Sequence, residues 1–191
     1  MEQPGTRDPA PEGLALVQDL VNTVDLEGGS DELTSPDAAA GWARSRGLAG
    51  RGYDAGALAD VLALREALRD VCAAHAGTDV PAATGEALER LLAAAPLRLS
   101  VDTEGRAAVG AAEGLTGAAE LTAAVAAAIA GATADGSWQR LKACAADTCR
   151  WVYYDRSPAG RSRWCTMAIC GSRSKMRAYR KNARAGSPEP A

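Results

Sequence analysis

Four of the five cysteines in this 191-residue chain fall in one stretch, as Cys144, Cys149, Cys165 and Cys170, with the spacing C-x4-C-x15-C-x4-C. Two pairs joined by a longer return are what a tetrahedral thiolate site requires. Each pair closes a knuckle on one side of a metal ion, and the intervening chain brings the second pair back. Four sulfurs leave no open coordination position, so the chemistry they suit is one structural Zn2+, which contributes folding energy and performs no reaction. The alternative is four buried or disulfide-bonded cysteines. Polar neighbours such as Lys142, Asp147, Arg150 and Arg163 speak against a core, and no export pattern points to an oxidising compartment. His75 is the single histidine and lies three residues from Cys72. That pair reads as a small core thiol and a packed imidazole rather than as metal ligands. There is no P-loop, dinucleotide fingerprint or G-x-S-x-G motif, and one histidine leaves little scope for acid–base catalysis, so an enzyme is not expected.

A second chemical feature follows the last cysteine. Residues 171–184 read G-S-R-S-K-M-R-A-Y-R-K-N-A-R, without an acid. As a helix this stretch places Arg173, Arg177, Arg180, Lys181 and Arg184 on one face. Met176, Tyr179 and Ala183 then fall on another, which could pack back on the knuckles. Arg161 and Arg163 lead into the second cysteine pair. The net charge of −3 conceals a division: residues 138–185 carry twelve Lys and Arg against two acids, while residues 1–137 carry nine Arg against twenty-one acids. Such asymmetry points to a polyanion, DNA first, with Arg161, Arg163, Arg173, Arg177, Arg180, Lys181 and Arg184 as the contacts. An acidic protein partner, a thiol redox sensor and a merely solvated basic face remain as alternatives.

These features need elements to hold them. Between the cysteine pairs, 151–154 (WVYY) is β-prone and 155–160 is turn-rich. A short helix from Trp138 into Cys144, capped by Ser137, would join the finger to what precedes it. Upstream, apolar spacing predicts a helix from Leu14 through Val24 to about Leu26. A second starts at Ser35-Pro36 and runs to about Arg46, with Trp42 in the core. A third is capped by Asp54 and lined by Leu58, Val61, Leu62, Leu68, Val71, Cys72 and His75; a fourth carries Leu88, Leu91 and Leu92. Leu97–Val101 and 106–112 pattern as a hairpin with Val109 inward, and a fifth helix covers about Ala118–Ala130. With aromatics at 4% and no Phe, the core must be Leu, Val and Ala. Leu121–Ala130 is apolar but short, so it reads as a buried helix rather than a membrane span. The fold expected is mostly α with a small β-hairpin: an acidic helical domain over 14–137, a treble-clef-like zinc finger over 138–184, and disordered tails at 1–13 and 185–191. The thiolate site and missing export signal point to the cytoplasm. No pattern sets an oligomeric state.

Residues 144–184 resemble the CGNR zinc-finger family of bacterial proteins, named for a C-G-N-R run at its fourth cysteine. Here the run is Cys170-Gly171-Ser172-Arg173, with Ser in place of Asn. The resemblance implies a zinc-ligand role for Cys144, Cys149, Cys165 and Cys170, and a stress-induced transcriptional regulator whose finger binds DNA. The upstream stretch is similar to the regulatory or sensing domain that usually precedes this finger, with Val21-Asn22-Thr23 as its most familiar run. Asn22 and Trp42 are its candidate pocket residues.

Overall fold

The computed structural model describes residues 7–185, and side chains as far as Arg180 except that of Ala178. Residues 1–6 and 186–191 of the expected tails lie outside the described residues. The elements run α1 (Glu12–Val21), β1 (Val24–Asp25), β2 (Ser30–Asp31), α2 (Pro36–Ser45), α3 (Ala55–Ala74), α4 (Ala82–Ala93), β3 (Leu97–Val101), β4 (Ala107–Ala111), α5 (Gly117–Ala134), β5 (Leu141–Ala143), β6 (Val152–Tyr154) and α6 (Ser172–Ala185). Each strand pair, β1–β2, β3–β4 and β5–β6, is a separate two-stranded antiparallel ladder. The protein is mostly α with small hairpins and a finger at its C-terminal end.

Local chemistry sets the starts of the helices. Ser35 accepts from the Ala38 N–H ahead of Pro36, and Asp54 accepts from the Ala57 N–H, so each satisfies one donor that a helix start leaves free. The main core then gathers Leu14, Val17, Leu20 and Val21 of α1, Trp42 of α2, Val61, Leu64, Leu68 and Cys72 of α3, and Leu121 and Val125 of α5. Burial pushes the Cys72 thiol up to about 12, as expected of an inert core cysteine. Helix α5 is longer than the sequence suggested, at 18 residues, and by length and composition alone it could cross a membrane. Here α1, α3, α4 and β4 pack against it.

Tertiary contacts override the sequence pattern at four places. Helix α1 stops at Val21, and Val24 lies in β1, because Asn22 turns out of the helix to bond 130 residues away. The expected helix from Trp138 to Cys144 is one 3-10 turn, Trp138–Arg140, followed by β5. Val152–Tyr154 is the β-prone stretch that the sequence marks, but its pairing partner Leu141–Ala143 carries no such local signal. The β3–β4 hairpin forms, but Val109 is 48% exposed and not inward, since the hairpin leans on α5 only near its base. Residues 7–11, assigned to a tail, are packed in place: Ala10 is in the core, and its N–H donates to Gln18 Oε1 at 2.6 Å.

The finger is not a bead on a linker. Leu141, Ala143, Val152 and Tyr154 of its hairpin belong to the same core as α1 and α3. Asn22 Nδ2 donates to the Val152 carbonyl at 2.7 Å, and its Oδ1 accepts from the Val152 N–H at 2.8 Å. The amide thus pairs with β6 as one residue of a neighbouring strand would. Gln18 adds a bond to the same carbonyl at 3.2 Å, and His75 Nδ1 meets the Leu141 carbonyl at 2.8 Å while its ring packs edge-on against Trp138. Asn22 is therefore a docking residue of the finger rather than the lining of a ligand pocket, and Trp42 sits in the core.

Candidate metal centre and basic helix

Each cysteine is delivered by a different device. Cys144 follows β5 and extends its ladder, its N–H donating to the Trp151 carbonyl at 2.9 Å. The chain then folds back tightly: the N–H groups of Cys149 and Arg150 both reach the Ala146 carbonyl, at 2.9 and 3.0 Å. The turn closes with Arg150 at φ 47, the left-handed conformation that non-glycine residues rarely adopt. Cys165 is brought alongside by a bond from the Ala145 N–H to the Arg163 carbonyl at 2.9 Å. Arg7 reinforces that arm, bonding the carbonyls of Cys165 and Trp164. Cys170 sits in a π-turn, Met167–Gly171, started by Thr166, whose side chain accepts from the Ile169 N–H. Ser172, in the place of the Asn in the C-G-N-R run, donates from Oγ to the Met167 carbonyl at 3.1 Å and so ties this turn to the start of α6.

The four sulfurs all lie within 4.8 Å of one another. Cys149 and Cys165 are 3.7 Å apart, and Cys165 and Cys170 are 3.5 Å apart. A tetrahedron with Zn–S bonds of about 2.3 Å has edges of about 3.8 Å, so the cluster has the size of a four-thiolate zinc site. Cys144, Cys165 and Cys170 are buried and Cys149 is half-buried. Protonation points the same way. Hydrogen bonds from the Cys149 and Cys165 thiols hold Cys144 far down, the bonds to Cys144 push Cys149 and Cys165 up, and burial pushes Cys170 up. Four thiolates this close cannot ionise together without a cation between them; a divalent metal supplies it and releases the protons. Cys72 and His75 take no part in the cluster.

Around the sulfurs lies a small second core of Ala146, Trp151 and Tyr153, with Trp164 against it. The Tyr153 hydroxyl donates to the Ser162 carbonyl at 2.8 Å. Helix α6 leaves this base carrying exposed Arg173, Lys175, Arg177 and Arg180. Arg173, Arg177 and Arg180 line one groove with Ile169, Ser172 and Met176. Met176 therefore shares the basic face and does not pack back on the knuckles, and Tyr179 is 71% exposed. Lys181 and Arg184 continue the same helix, but their side chains lie outside the described residues. Arg161 and Arg163 are exposed on the loop before Cys165, Arg163 stacking on Trp164. Arg173 also pairs with Glu27, on the turn between β1 and β2.

Two buried arginines were not anticipated. Arg65 and Arg69 of α3 are 6% and 0% exposed. They fall in phase with Val61, Leu68 and Cys72, so the helical period already placed them on the buried face; the usual habit of arginine to be exposed masked that signal. Arg65 meets Asp31 at 2.8 Å and Glu66 at 2.9 Å.

Comparison with known sequences agrees with this geometry. A family model for the CGNR zinc finger matches residues 140–183. A second, for the ABATE family, described as "Putative stress-induced transcription regulator", matches residues 14–136. No curated protein matches the chain. With almost two thirds of its length matched by one family and a four-thiolate cluster of zinc-site size in the remainder, the chain belongs to the ABATE family and carries a CGNR zinc finger.

Proposed function

We propose that the chain is a zinc-dependent, DNA-binding transcription regulator of the bacterial cytoplasm, in which the metal is structural and α6 with loop 156–164 meets the duplex. The observation that carries this reading is the groove on α6, where Arg173, Arg177 and Arg180 converge on one solvent-facing surface rooted in the zinc cluster. Guanidinium groups on a rigid helix suit phosphates and guanine edges, and Met176 between them suits an apolar contact such as a thymine methyl. Arg161 and Arg163 reach the backbone from the loop, while Lys181 and Arg184 continue the helix past this compact footprint. The reading assigns no reaction to the chain.

The test is equilibrium binding of zinc-loaded protein to a DNA duplex across a salt series. Five cations, Arg161, Arg163, Arg173, Arg177 and Arg180, predict a slope of log K against log salt of about −4 to −5. Absence of binding at low salt rejects the reading. One observation favours a second: Met167, Ile169, Met176 and Tyr179 are 39–71% exposed among these cations. Apolar anchors ringed by arginine are also what docks an acidic protein, and that interface would respond far less steeply to salt.

A further inference from the structure

We propose that the N-terminal domain sets the zinc affinity of the finger, with Arg69 and Asp70 of α3 as positioning residues for the Cys144–Cys149 knuckle. The inference rests on the four-thiolate centre and not on DNA binding.

The knuckle must bring Cys149 back toward Cys144 within five residues, and it does so by placing Arg150 at φ 47. Among the described residues, Arg150 is the only non-glycine in this conformation. Such a backbone persists where its surroundings over-determine it. Here they do so from both ends of the residue. The Arg150 carbonyl accepts from Arg69 Nη1 at 3.0 Å. The Arg150 guanidinium meets Asp70 Oδ1 at 2.6 Å, and the other oxygen of Asp70 accepts from the Thr84 hydroxyl at 2.7 Å. Consecutive residues of α3 thus grip the backbone and the side chain of the residue next to a metal ligand.

Arg69 is itself fixed. It is fully buried, donates from Nη2 to the Val21 carbonyl at the end of α1 at 2.7 Å, and pairs through Nε with Glu66 at 3.0 Å. Its third nitrogen, Nη1, has the knuckle as partner. A second grip comes from Asn22 and Gln18 on Val152, three residues past Cys149, and a third from His75 on Leu141, three residues before Cys144. Arg69, Asn22, Gln18 and His75 all bind finger backbone, so they fix its path whatever its side chains. A buried arginine or asparagine that lost these partners would be left with unsatisfied donors, so the domain and the closed knuckle favour each other. Zinc selects the closed knuckle. By linkage, any residue that holds the knuckle closed raises zinc affinity, and zinc in turn stabilises the contact to α3.

The experiment measures zinc affinity of the full-length protein by competition with a chromophoric chelator, at a temperature where each variant is folded, together with the thiolate-to-metal absorption of the cobalt-loaded form. Asp70→Asn removes the half-exposed arm of the grip and is expected to weaken zinc three- to tenfold. Arg69→Met is expected to weaken it at least tenfold and to alter the cobalt spectrum, and Arg69→Lys should restore part of both. Leu64→Ala, a core truncation on the same helix, lowers stability in general and should leave zinc affinity within twofold. The proposal is overturned if Arg69→Met and Asp70→Asn bind zinc as the parent does, or if Leu64→Ala weakens it equally. Should Arg69→Met not fold, Asp70→Asn decides: unchanged affinity there overturns the proposal.

Discussion

Replacing Lys142 by methionine tests an ion pair at the base of the finger. Lys142 Nζ lies 3.0 Å from Asp155 Oδ2, with side-chain exposures of 5% and 0%. Asp155 also accepts the N–H groups of Ser157 at 3.0 Å and Ser162 at 2.8 Å, and Lys142 donates to the Gly160 carbonyl as well. Together they close the loop that presents Arg161. Burial by itself would raise the Asp155 carboxyl, but the bonds from Ser157, Lys142 and Ser162 outweigh it and hold the group below its ordinary 3.8. Removing one partner of a buried pair strands the other charge and costs about 3–5 kcal/mol. The carboxylate keeps its two N–H donors here, which puts Lys142→Met near the lower end, about 3 kcal/mol. For a chain of this length that is a fall in Tm of roughly 6–12 °C. Adding Asp155→Asn leaves no stranded charge and should recover at least about 1 kcal/mol of the loss. The assay is calorimetric melting of zinc-loaded protein across pH. Because the folded carboxyl is depressed, its contribution is complete above the unfolded value and is lost as pH falls through the folded one. The difference between parent and Lys142→Met should therefore be level from neutral pH to about pH 5 and shrink below about pH 4. A fall in Tm under about 2 °C, or a double variant no more stable than the single one, would refute the reasoning.

Three further outcomes are expected. Cys149→Ser should abolish stoichiometric zinc, measured by metal analysis, and lower the Tm of the whole chain, because the hairpin residues Leu141 and Val152 are fully buried in the main core; an unchanged helical melt would show that the finger folds apart. Burial holds His75 below its ordinary 6.5, so the folded state should lose stability as pH drops below about 6.5, and His75→Gln should flatten that part of the profile in chemical denaturation. Glu27→Gln frees Arg173 from its surface pair and should tighten DNA binding at low salt by about two- to fivefold, an effect that must vanish at high salt.

What was legible in the sequence was chemistry that is local or carried by spacing. The cysteine pattern gave the cluster because four soft ligands in two knuckles have few other uses. Ser35 and Asp54 marked helix starts because a cap is satisfied within three residues. The misses share a different cause. Asn22 ends α1 through Val152, 130 residues away, and Leu141–Ala143 forms a strand only because the knuckle folds Val152–Tyr154 back against it, so neither feature shows in the residues of the element itself. Lys142 looked like a surface cation near the cysteines, yet it is buried, because its partner Asp155 is thirteen residues away, inside what pattern reading treats as a loop. Helical spacing puts Met176 on the face opposite the arginines, but it lines the same groove as Arg173, Arg177 and Arg180, and the small zinc core is made by Ala146, Trp151 and Tyr153 instead.

These misses change how the charge division bears on function. Counted along the sequence, the finger is strongly basic, and every cation seems free to meet a polyanion. In the fold, several are already engaged. Lys142 is sealed against Asp155, and Arg140 spends its guanidinium on the carbonyls of Asp155 and Ser157. Arg150 is bound by Asp70, and Arg156 lies over Tyr154 and bonds the Pro9 carbonyl. These four hold the finger together or fasten it to the rest of the chain. The cations left for a partner are concentrated on the loop before Cys165 and on α6, two segments fixed relative to each other by the bonds that position Cys165 and Cys170. A footprint set by that geometry is compact, so its salt response should follow the five exposed arginines and not the total charge of the region. That distinction makes the salt slope a test of the fold as much as of the partner: a slope well beyond about −5 would require cations from Lys175 or from the continuation of α6 at Lys181 and Arg184.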